Sequence, residues 1–492
     1  MDDMPSLLTP PEEALAVLAH LRRAGHETYF CGGCVRDALL GKTPKDYDIA
    51  TAATPDDVER LFPHTVPIGK AFGVILVQGA NGGQYEVATF RNDLGYADGR
   101  RPDAVRFSSA EEDARRRDFT MNALFYDPEN NRVLDFVGGV RDIREKLLRT
   151  VGVPEERFEE DRLRLLRAVR FAARTGFAME ERTKRAVCRM AENVLSVSPE
   201  RIAAELEAML SAGFSRHAFS LLREVGMLRA VLPEAAAMDG VEQPPDFHPE
   251  GDVWLHTLCL LEENDNAVLG TTRRIDYSSA VDINPEKGMT MGDFSAGQYM
   301  EAVRDCRAAM TPLQTMTLAW SGLLHDIGKP ATFMVSDRIR FNEHDTLGAE
   351  MAVAVLERLH RPRKMIEWAY DLIRRHIHFS TLRKMRKSKL RRWLADGNFP
   401  MHLELHRLDC VSSHKMLANW FFGVESWREE RARPPEPEPL VRGADLLGLG
   451  MRPGPEVGAM LRRVEDAYLE GTLTTKDEAL VWVRGQLDAT TP

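Results

Sequence analysis

The sequence predicts an α+β fold in which a strand-containing N-terminal domain is followed by mostly α-helical domains. QYEVATF, residues 84–90, alternates in polarity as a half-buried strand does. KDYDIAT, residues 45–51, can be interpreted with the same period of two. Further along, Ser198 and Pro199 are typical of a helix start, and AFSLLREVGMLRAVLPE, residues 218–234, repeats an amphipathic helical pattern.

The length of the chain predicts several domains. Its 492 residues exceed what one hydrophobic core supports, which favours about three or four domains. The proline-rich stretch RARPPEPEPL, residues 431–440, is the clearest linker. We expect a head at 1–150, a helical neck at 151–240, a third domain at 241–430 with an insertion near 264–311, and a helical tail at 440–492.

The composition is that of an ordinary globular protein, with 43% hydrophobic and 28% charged residues. No apolar run reaches the length of a membrane span, and the acidic start MDDMPSLLTPPEE lacks the features of a signal peptide, so we expect a cytoplasmic protein. Six cysteines are too few for a disulfide framework in this length and are expected to be free thiols. The net charge of -10 argues against general coating of nucleic acid, but it allows a local basic surface that binds RNA.

Three overlapping motifs lie in YFCGGCVRDALLGKTPKDYDIA, residues 29–50. The pair Cys31 and Cys34 has no second ligand pair at zinc-like spacing and no thioredoxin-like context, so we interpret both as small apolar residues. The Gly-Lys-Thr at 41–43 resembles the end of a P-loop, but Arg36 stands where that motif requires glycine.

The third motif, Asp-x-Asp, is the one that predicts chemistry. A strand period of two places Asp46 and Asp48 on one face, while Tyr47 and Ile49 point to the other. Two converging carboxylates form a platform for divalent metal ions. Taken alone, the same residues also fit a solvated acidic strand end.

Three motifs in order resemble one family. These are GGCVRDALLG followed by KDYDIAT, then RRRDFTMNALFYD at 115–127, then EEDRLRLLRAVRFAARTGF at 159–177. Together they resemble the bacterial-type (class II) tRNA nucleotidyltransferase and poly(A) polymerase family, which adds CCA to tRNA 3′ ends. The resemblance implies a polymerase-beta-like head with a mixed sheet, the substrates CTP and ATP, the 3′ end of tRNA as partner, and neither DNA nor membrane binding.

In that family the two carboxylates would hold Mg²⁺ for nucleotidyl transfer, so Asp46 and Asp48 are the catalytic candidates. A third carboxylate often completes such a site. Glu86, in the strand predicted at 84–90, is the candidate, and an exposed strand residue without a role fits its sequence context equally well.

The segment EDRLRLLRAVRFAAR, residues 160–174, predicts one amphipathic helix. On a helical wheel Glu160, Arg164 and Arg167 fall together, with Asp161 beside Arg164. The resemblance implies that Asp161 and Arg164 pair with the incoming base. The apolar arc opposite them comprises Leu165, Leu166, Val169, Ala172 and Ala173.

The hydrogen-bonding edges of the bases fit this assignment. Cytosine and adenine each present a ring-nitrogen acceptor beside an amino donor, which match a donating arginine and an accepting aspartate. Guanine and uracil reverse that pattern and would leave buried polar groups unpaired. By resemblance, the ligands of the phosphates and sugar are Arg36, Arg117, Arg167 and Arg170, with Gly33 allowing close approach of the backbone.

TFRNDLGYADGRRPDAVRFS, residues 89–108, is polar and rich in Gly and Arg, and predicts a loop. The family has a flexible loop at this place, whose loss marks enzymes that add only CC. Its presence here disfavours that split activity. It does not separate CCA addition from A addition or poly(A) synthesis.

Histidines and aspartates accumulate in the second half of the chain, in segments that resemble an HD domain. In such domains His, His-Asp and a late Asp surround a divalent metal that activates water. The candidate ligands are His256, His325, Asp326 and Asp409, and additional ligands or phosphate contacts are His344 and His376. Both phosphohydrolase activity and a retained RNA-binding scaffold remain open.

The sequence therefore predicts template-independent addition of C and A to tRNA 3′ ends, with Mg²⁺ in the head and a second divalent metal as a candidate at the HD site. A poly(A) polymerase and a split A-adding enzyme are alternatives within the class. From a different class, the alternatives are an HD phosphohydrolase or an RNA-binding protein with a silent head. The oligomeric state and the role of the insertion are not indicated by the sequence.

Overall fold

The chain divides into two compact units, Met1–Ala236 and Ala237–Pro492. A computed structural model describes residues 7–79, 81–94, 104–271, 282–284, 289–290, 295–433 and 439–488. None of the helices within these ranges combines the length and apolar character needed to cross a membrane.

The first unit contains a mixed seven-stranded sheet. Its strands, together with four short ones outside this sheet, are β1 Thr28–Cys31, β2 Ile49–Thr51, β3 Thr65–Gly69, β4 Val74–Gln78, β5 Gln84–Thr89, β6 Arg91–Leu94, β7 Ala104–Phe107, β8 Leu124–Asp127, β9 Arg132–Asp135, β10 Leu147–Leu148 and β11 Ala178–Met179. The order in the sheet is β3-β4-β5-β2-β1-β8-β9. Only β2 and β5 in this sheet run parallel, which places Ile49, the first residue of β2, opposite Val87 in the second half of β5.

Helices cover this sheet and then continue as a helical region. They are α1 Glu12–Arg23, α2 Gly33–Leu39, α3 Pro55–Leu61, α4 Ala110–Arg116, α5 Gly139–Arg144, α6 Pro154–Glu160, α7 Arg164–Thr175, α8 Glu181–Arg189, α9 Pro199–Leu210, α10 Ser215–Glu224, α11 Met227–Val231 and α12 Pro233–Ala236. One core cluster forms where Phe90 and Phe125 meet Ala110 and Ala114 of α4. This packing fixes α4, and with it Arg116 and Arg117, against the sheet.

The single helix expected over residues 160–174 was wrong. The chain forms α6, breaks at residues 161–163, and starts again as α7. The break has a local cause, because the Leu163 N–H donates to Asp161 Oδ1 at 3.1 Å, which is a turn that competes with continued helix. The predicted apolar arc on α7 is confirmed as buried, and α9 begins at Pro199 as expected, with Ser198 at the N-cap.

The predicted loop at residues 89–108 is partly a hairpin. β6 and β7 pair in antiparallel register from Arg91 opposite Phe107 to Leu94 opposite Ala104. Residues 95–103, the centre of the predicted loop, lie outside the described residues. The polar, arginine-rich composition of the arms concealed their strand pairing.

The second unit is mostly helical. Its elements are α13 Val253–Leu269, β12 Asp282–Asn284, β13 Met289–Thr290, α14 Ala296–Ala308, α15 Pro312–Leu324, α16 Lys329–Thr332, β14 Phe333–Val335, β15 Ile339–Phe341, α17 His344–Arg358, α18 Arg363–Arg375, α19 Lys387–Leu394, α20 Phe399–Ser412, α21 Ala418–Ala432, α22 Gly443–Gly448, α23 Pro455–Leu469 and α24 Lys476–Asp488. The mixed-sheet head and helical remainder confirm the predicted α+β class.

The end of the insertion expected near 264–311 belongs to the core of this unit. Arg307 Nε on α14 donates to Glu404 Oε2 on α20 at 2.7 Å, and its Nη2 donates to Asn264 Oδ1 at 2.9 Å. Arg407, fully buried, pairs with Glu404 and donates to Tyr299 Oη of α14 at 3.0 Å. Residues 272–281, 285–288 and 291–294 of the insertion lie outside the described residues.

A close backbone approach aligns α16 with α17. A Cβ atom at Gly328 would lie 2.3 Å from the His344 carbonyl oxygen and 2.7 Å from the Gly348 nitrogen. Only glycine fits that gap without a backbone shift. The approach holds the segment just after α15, which carries His325 and Asp326, against the start of α17.

Candidate functional sites

The predicted acidic residues lie at the start of the parallel strand pair. Ile49 of β2 is opposite Val87 of β5, so Asp48 and Glu86 each precede that pair by one residue and lie side by side. Asp46 and Asp48 were expected within a strand, but β2 begins only at Ile49, and both aspartates lie in the segment that leads into it. A backbone hydrogen bond from Cys31 N–H to the Asp48 carbonyl, 3.0 Å, anchors this segment to β1.

The charges around Asp48 are unbalanced in favour of a cation. Burial, then the neighbouring Glu86, and then Asp46 raise the pKa of Asp48 to about 6, against the opposing effect of Arg117. Carboxylates that repel one another are donors suited to a hard divalent cation. Asp48 and Glu86 therefore fit the neighbourhood of a cation, but the carboxylate oxygens of Asp46, Asp48 and Glu86 do not all lie within 4.8 Å of one another, so the predicted group of three carboxylates is not assembled in this structure.

The overlapping cysteine motif is structural. Cys31 and Cys34 are buried, and the Cys34 thiol donates to the Cys31 carbonyl at 3.2 Å. Burial raises the pKa of Cys31 to about 11, so its thiol stays protonated. All six cysteines are free, as predicted.

Beside Asp48 opens a cavity of about 530 Å³, which we call the arginine cavity. Its lining carries eight arginines and three aspartates, an excess of positive charge suited to a triphosphate. All seven residues predicted to bind nucleotide line it: Gly33, Arg36, Arg117, Asp161, Arg164, Arg167 and Arg170. Five further polar lining residues were not predicted: Arg116, Asp118, Asn122, Arg174 and Arg201.

Asp161 and Arg164 meet at the break between α6 and α7. Arg201 of α9 donates from Nη2 to both Asp161 oxygens, at 2.9 and 3.1 Å. Arg164, the first residue of α7, donates from Nη1 to Glu160 Oε2 at 2.6 Å and from Nη2 to the Arg116 carbonyl at 3.2 Å. The break thus presents a fixed acceptor and a fixed donor three residues apart.

The other cavity arginines each pair with a neighbouring side chain. Arg36 donates to Asn122 Oδ1 at 2.6 Å, and Arg117 donates to Asp113 Oδ2 at 3.1 Å. Arg167 donates twice to Asp118 Oδ2, at 2.6 and 3.0 Å. Despite burial, the guanidinium of Arg167 lowers the pKa of Asp118, so this pair is ionised.

Phe171 supports the arginines from one side of the cavity. The guanidinium carbons of Arg36, Arg167 and Arg170 lie 5.5, 5.2 and 4.4 Å from the centre of its ring. Cations over an aromatic face gain about 0.5–2 kcal/mol each. Arg170 is further held by Glu205 of α9, with Nε 2.6 Å from Oε2.

In the second unit the predicted histidines and aspartates converge in what we call the histidine cluster. It comprises His256, His325, Asp326, His344, His376 and Asp409. Five helices supply or flank these residues: α13, α15, α17, α18 and α20. His256, His325, Asp326 and His376 are more than nine-tenths buried. The side chain of His344 is 12% exposed, and that of Asp409 is 27% exposed.

Every histidine of the cluster is oriented by a hydrogen bond at Nδ1. The acceptors are the Gly322 carbonyl for His325 at 2.9 Å, the Phe341 carbonyl for His344 at 2.7 Å, the Ile373 carbonyl for His376 at 2.6 Å, and Glu250 Oε1 for His256 at 2.6 Å. Because carbonyl and carboxylate oxygens only accept, Nδ1 carries the hydrogen and Nε2 faces the cluster. This is the arrangement of metal-binding histidines.

The Nε2 atoms meet carboxylate oxygens inside the cluster. His256 Nε2 lies 3.2 Å from Asp409 Oδ1, and His325 Nε2 lies 3.1 Å from Asp326 Oδ2. Burial and the nearby His325 lower the pKa of His376 to about 4, so its imidazole is neutral, the form that binds metals. For His256, burial is outweighed by Asp409 and Glu250, which raise its pKa to about 9, so a metal ion bound there displaces a proton.

Three residues that support the cluster were not predicted, namely Glu250, Lys329 and Gln243. Glu250 Oε1 also accepts from His248 Nδ1 at 2.9 Å, so it orients two histidines. Lys329, 6% exposed, lies 2.7 Å from Asp326 Oδ2 and donates to Gln243 Oε1 at 2.7 Å. Its place three residues after Asp326 in HDIGK was a sequence signal for a contact at helical spacing.

Three family models match the chain along its length. Residues 28–149 match the Poly A polymerase head domain, residues 176–238 the probable RNA and SrmB-binding site of polymerase A, and residues 301–400 the HD domain. A CCA-adding enzyme of Bacillus licheniformis is 34% identical over 384 residues, which is 69% of this chain and 94% of that protein. The chain belongs to the family of CCA-adding enzymes. The predicted family is thereby confirmed.

Other relatives in the family align over part of their length. The CCA-adding enzyme of Geobacillus kaustophilus is 46% identical over 232 residues, 47% of this chain and 57% of that relative. Among solved structures, the Bacillus stearothermophilus CCA-adding enzyme in complex with CTP matches with 26% identity and a TM-score of 0.68, covering 98% of this chain and 99% of that one. The Thermotoga maritima CCA-adding enzyme complexed with tRNA, at 17% identity and a TM-score of 0.55 over 96% of this chain and 94% of that one, shares the fold.

Replacing Asp48 with asparagine is expected to stabilise the metal-free protein by about 1–2 kcal/mol at about pH 7.5, measured as the free energy of unfolding in a chelating buffer. The pKa of Asp48 is about 6 in the folded protein, against an ordinary value of 3.8. Between these two pH values, Asp48 is protonated in the folded protein and ionised in the unfolded one. The charge of Asp48 therefore destabilises the folded protein to the full extent at pH values above about 6. The unfolding free energy gained by Asp48→Asn should vanish as the pH falls below about 4.

The control for this comparison is Asp246→Asn, which changes an exposed aspartate of the second unit. It should leave the difference in unfolding free energy close to zero across the same pH range. If Asp48→Asn does not raise the unfolding free energy at neutral pH, or raises it more as the pH falls, then the charge of Asp48 is not destabilising.

Proposed function

We propose that this protein adds C, C and A to the 3′ ends of tRNA, using CTP and ATP without a nucleic-acid template. The observation that carries the proposal is the arginine cavity, where Asp48, the pair Asp161 and Arg164, and seven further arginines line one space. The substrates proposed are cytoplasmic molecules, and we place the activity there.

The triphosphate would lie among the cavity arginines. Guanidinium groups already fixed by Asp113, Asp118 and Phe171 hold their remaining N–H donors at set positions, so little ordering is required when phosphate binds. Asp46, Asp48 and Glu86 would hold Mg²⁺, which when bound assists ionisation of the RNA 3′-hydroxyl and neutralises charge on the leaving pyrophosphate. Of these three residues, Asp48 lines the same cavity as the arginines.

Base choice would rest on Asp161 and Arg164. The Asp161 carboxylate accepts from Arg201, which fixes its position as an acceptor, while Arg164 can only donate. Cytosine and adenine satisfy both groups, whereas uracil and guanine would leave each one facing a like partner. The selection is thus a property of the protein surface rather than of a template strand.

The first test is incubation of the purified protein with Mg²⁺ and three tRNAs that end before CCA, after CC, or after the complete CCA. CTP and ATP are supplied separately and together, and products are sized to one nucleotide. We expect the first substrate to grow by C, C and A and then to stop. Addition of A only after CC would mean a split A-adding enzyme, and long adenylate tails a poly(A) polymerase.

In the same assay Asp48→Ala is expected to abolish addition while tRNA affinity, measured by filter binding, stays close to wild type. The variant removes a carboxylate from the metal platform but no arginine from the cavity. Turnover retained by this variant would contradict the assignment of Asp48.

Asp161→Asn is expected to reduce the preference for CTP over UTP, measured as the ratio of kcat/KM values, by about tenfold or more. An amide can turn its N–H₂ toward the uracil carbonyl, so the penalty of about 1–3 kcal/mol for an unpaired buried group is relieved. Glu159→Gln is the matched control, because Glu159 lies two residues away and pairs with Arg162 outside the cavity lining. An unchanged ratio would contradict the role of Asp161.

A second activity is favoured by the histidine cluster, and we propose metal-dependent hydrolysis of phosphate esters there. The four Nε2 atoms and two aspartates would hold a divalent metal, which when bound lowers the pKa of a coordinated water and polarises the phosphate. The chain's own contribution is the orientation of each imidazole and the buried positive charge of Lys329, held by Gln243, beside the place where phosphate would bind.

The two activities can be separated by variants. With Mn²⁺, Co²⁺ or Ni²⁺ and bis(p-nitrophenyl) phosphate, we expect hydrolysis by wild type and by Asp48→Ala but not by His325→Ala. Addition to tRNA should show the reverse, with His325→Ala active and Asp48→Ala inactive. If wild type fails to hydrolyse the ester with all three metals, the cluster serves as a scaffold instead.

A further inference from the structure

We infer that Asp113 is a positioning residue for base selection, although it is not one of the described residues that line the arginine cavity. Its side chain is 2% exposed and lies on α4. This inference rests on the proposed nucleotidyl transfer and names a residue on which the choice of C and A depends. It is carried by two arginines at the end of α4, each of which binds one oxygen of Asp113.

Arg116 and Arg117 both turn back toward Asp113. They follow it by three and four residues, the spacing at which side chains on a helix meet. Asp113 Oδ1 accepts from Nε and Nη2 of Arg116 at 3.0 and 2.6 Å, and Oδ2 accepts from Nε of Arg117 at 3.1 Å. Burial opposes the charge on Asp113, but Arg117 and then Arg116 hold its pKa below the ordinary value, so the carboxylate is ionised. One buried carboxylate therefore fixes two arginines of the cavity.

The link through Arg116 reaches the arginine that would pair with the base. Because α4 ends at Arg116, the carbonyl of this residue has no partner within the helix. Arg164 Nη2 donates to that carbonyl at 3.2 Å, and its Nη1 donates to the Arg157 carbonyl at 3.0 Å and to Glu160 Oε2 at 2.6 Å. Since an arginine side chain has five N–H groups, two remain for a base. Their direction depends on the Arg116 carbonyl, and hence on Asp113.

The link through Arg117 reaches the part of the cavity proposed for the phosphates. Arg117 Nη1 donates to the Asn122 carbonyl at 3.1 Å, and its guanidinium carbon lies 5.0 Å from the centre of the Phe125 ring. The guanidinium group lies close to Gly32, where an added Cβ atom would be 3.2 Å from Nη1. Asp113 thus fixes a phosphate-binding group and a base-binding group from one point. A nucleotide contacts both groups at once, so a shift of either one weakens selection.

The start of β6 binds the same carboxylate. The Arg91 N–H donates to Asp113 Oδ1 at 3.3 Å, and the Arg91 carbonyl accepts from Arg116 Nε at 3.0 Å. Ala114, next to Asp113 on α4, packs in the same core cluster as Phe90, the residue before β6. The sheet and its hairpin therefore set the position of Asp113, and Asp113 in turn sets the positions of the two arginines.

The test compares CTP with UTP in the variant Asp113→Asn. Asparagine has nearly the same size, but its amide nitrogen donates, so one of the two arginines loses its acceptor. The values of kcat/KM are measured for addition of C and of U to a tRNA that ends before CCA. We expect the ratio of CTP to UTP to fall by about tenfold, since displacement of a binding group by about an ångström costs that much or more. Loss of folded protein alone would lower both values equally and leave their ratio unchanged.

Glu111→Gln is the matched control, because Glu111 is an exposed residue of α4 that pairs with Arg115. Its ratio should equal that of wild type. Asp113→Glu is a second variant, which keeps the charge but moves the carboxylate by one methylene group, and its ratio should fall by about threefold. This variant decides the question if Asp113→Asn does not fold, and circular dichroism verifies the folding of each protein.

Ratios equal to that of wild type in the folded Asp113 variants would overturn the inference and leave the proposed CCA addition intact. If wild type itself adds C without preference over U, or adds neither, the proposed function fails as well. The failure of this inference and that of the proposed function therefore give different results.

Discussion

The geometry of the arginine cavity depends on pairing each cavity arginine with a neighbouring acidic side chain. Eight arginines around one cavity repel one another, and a buried charge without a partner is costly. Asp113, Asp118 and Glu205 supply the compensation for Arg117, Arg167 and Arg170. Since a guanidinium has five N–H donors, one carboxylate does not exhaust it. The support therefore fixes the positive charges in place and leaves donors for a ligand.

The second unit places imidazoles rather than guanidinium groups around its site, and it fixes each one by a hydrogen bond at Nδ1. Imidazoles crowded at ring separations of 5.3–5.6 Å could not all be protonated without strong repulsion. Carbonyl oxygens accept from Nδ1 of His325, His344 and His376, which fixes the tautomer and turns each Nε2 inward. The ligand set is thereby prepared by backbone geometry, and the glycine contact at Gly328 is part of that preparation because it holds α16 against α17.

The sequence predicted the parts of both sites that follow from motif and period, and it missed those that depend on tertiary pairing. Strand β5, the buried face of α7 and the helix start at Pro199 follow from local pattern. The break at Asp161 was missed because a helical wheel assumes continuity, although aspartate directly before an apolar run is also a helix-start signal. Arg201 and Asp118 were missed for another reason. Their partners lie 40 and 49 residues away along the chain, a distance over which periodicity carries no information.

The two candidate sites differ in how their carboxylates are balanced and in their donor chemistry. Burial and then the neighbouring carboxylates raise the pKa of Asp48, whereas His325 and Lys329, despite burial, hold the pKa of Asp326 well below its usual value. The head presents carboxylate oxygens, which suit Mg²⁺, whereas the histidine cluster presents mainly imidazole nitrogens, which favour transition metals. Under the proposed function, the two sites would therefore take up different ions from one pool. Ligand hardness would then be sufficient to assign each ion to its unit.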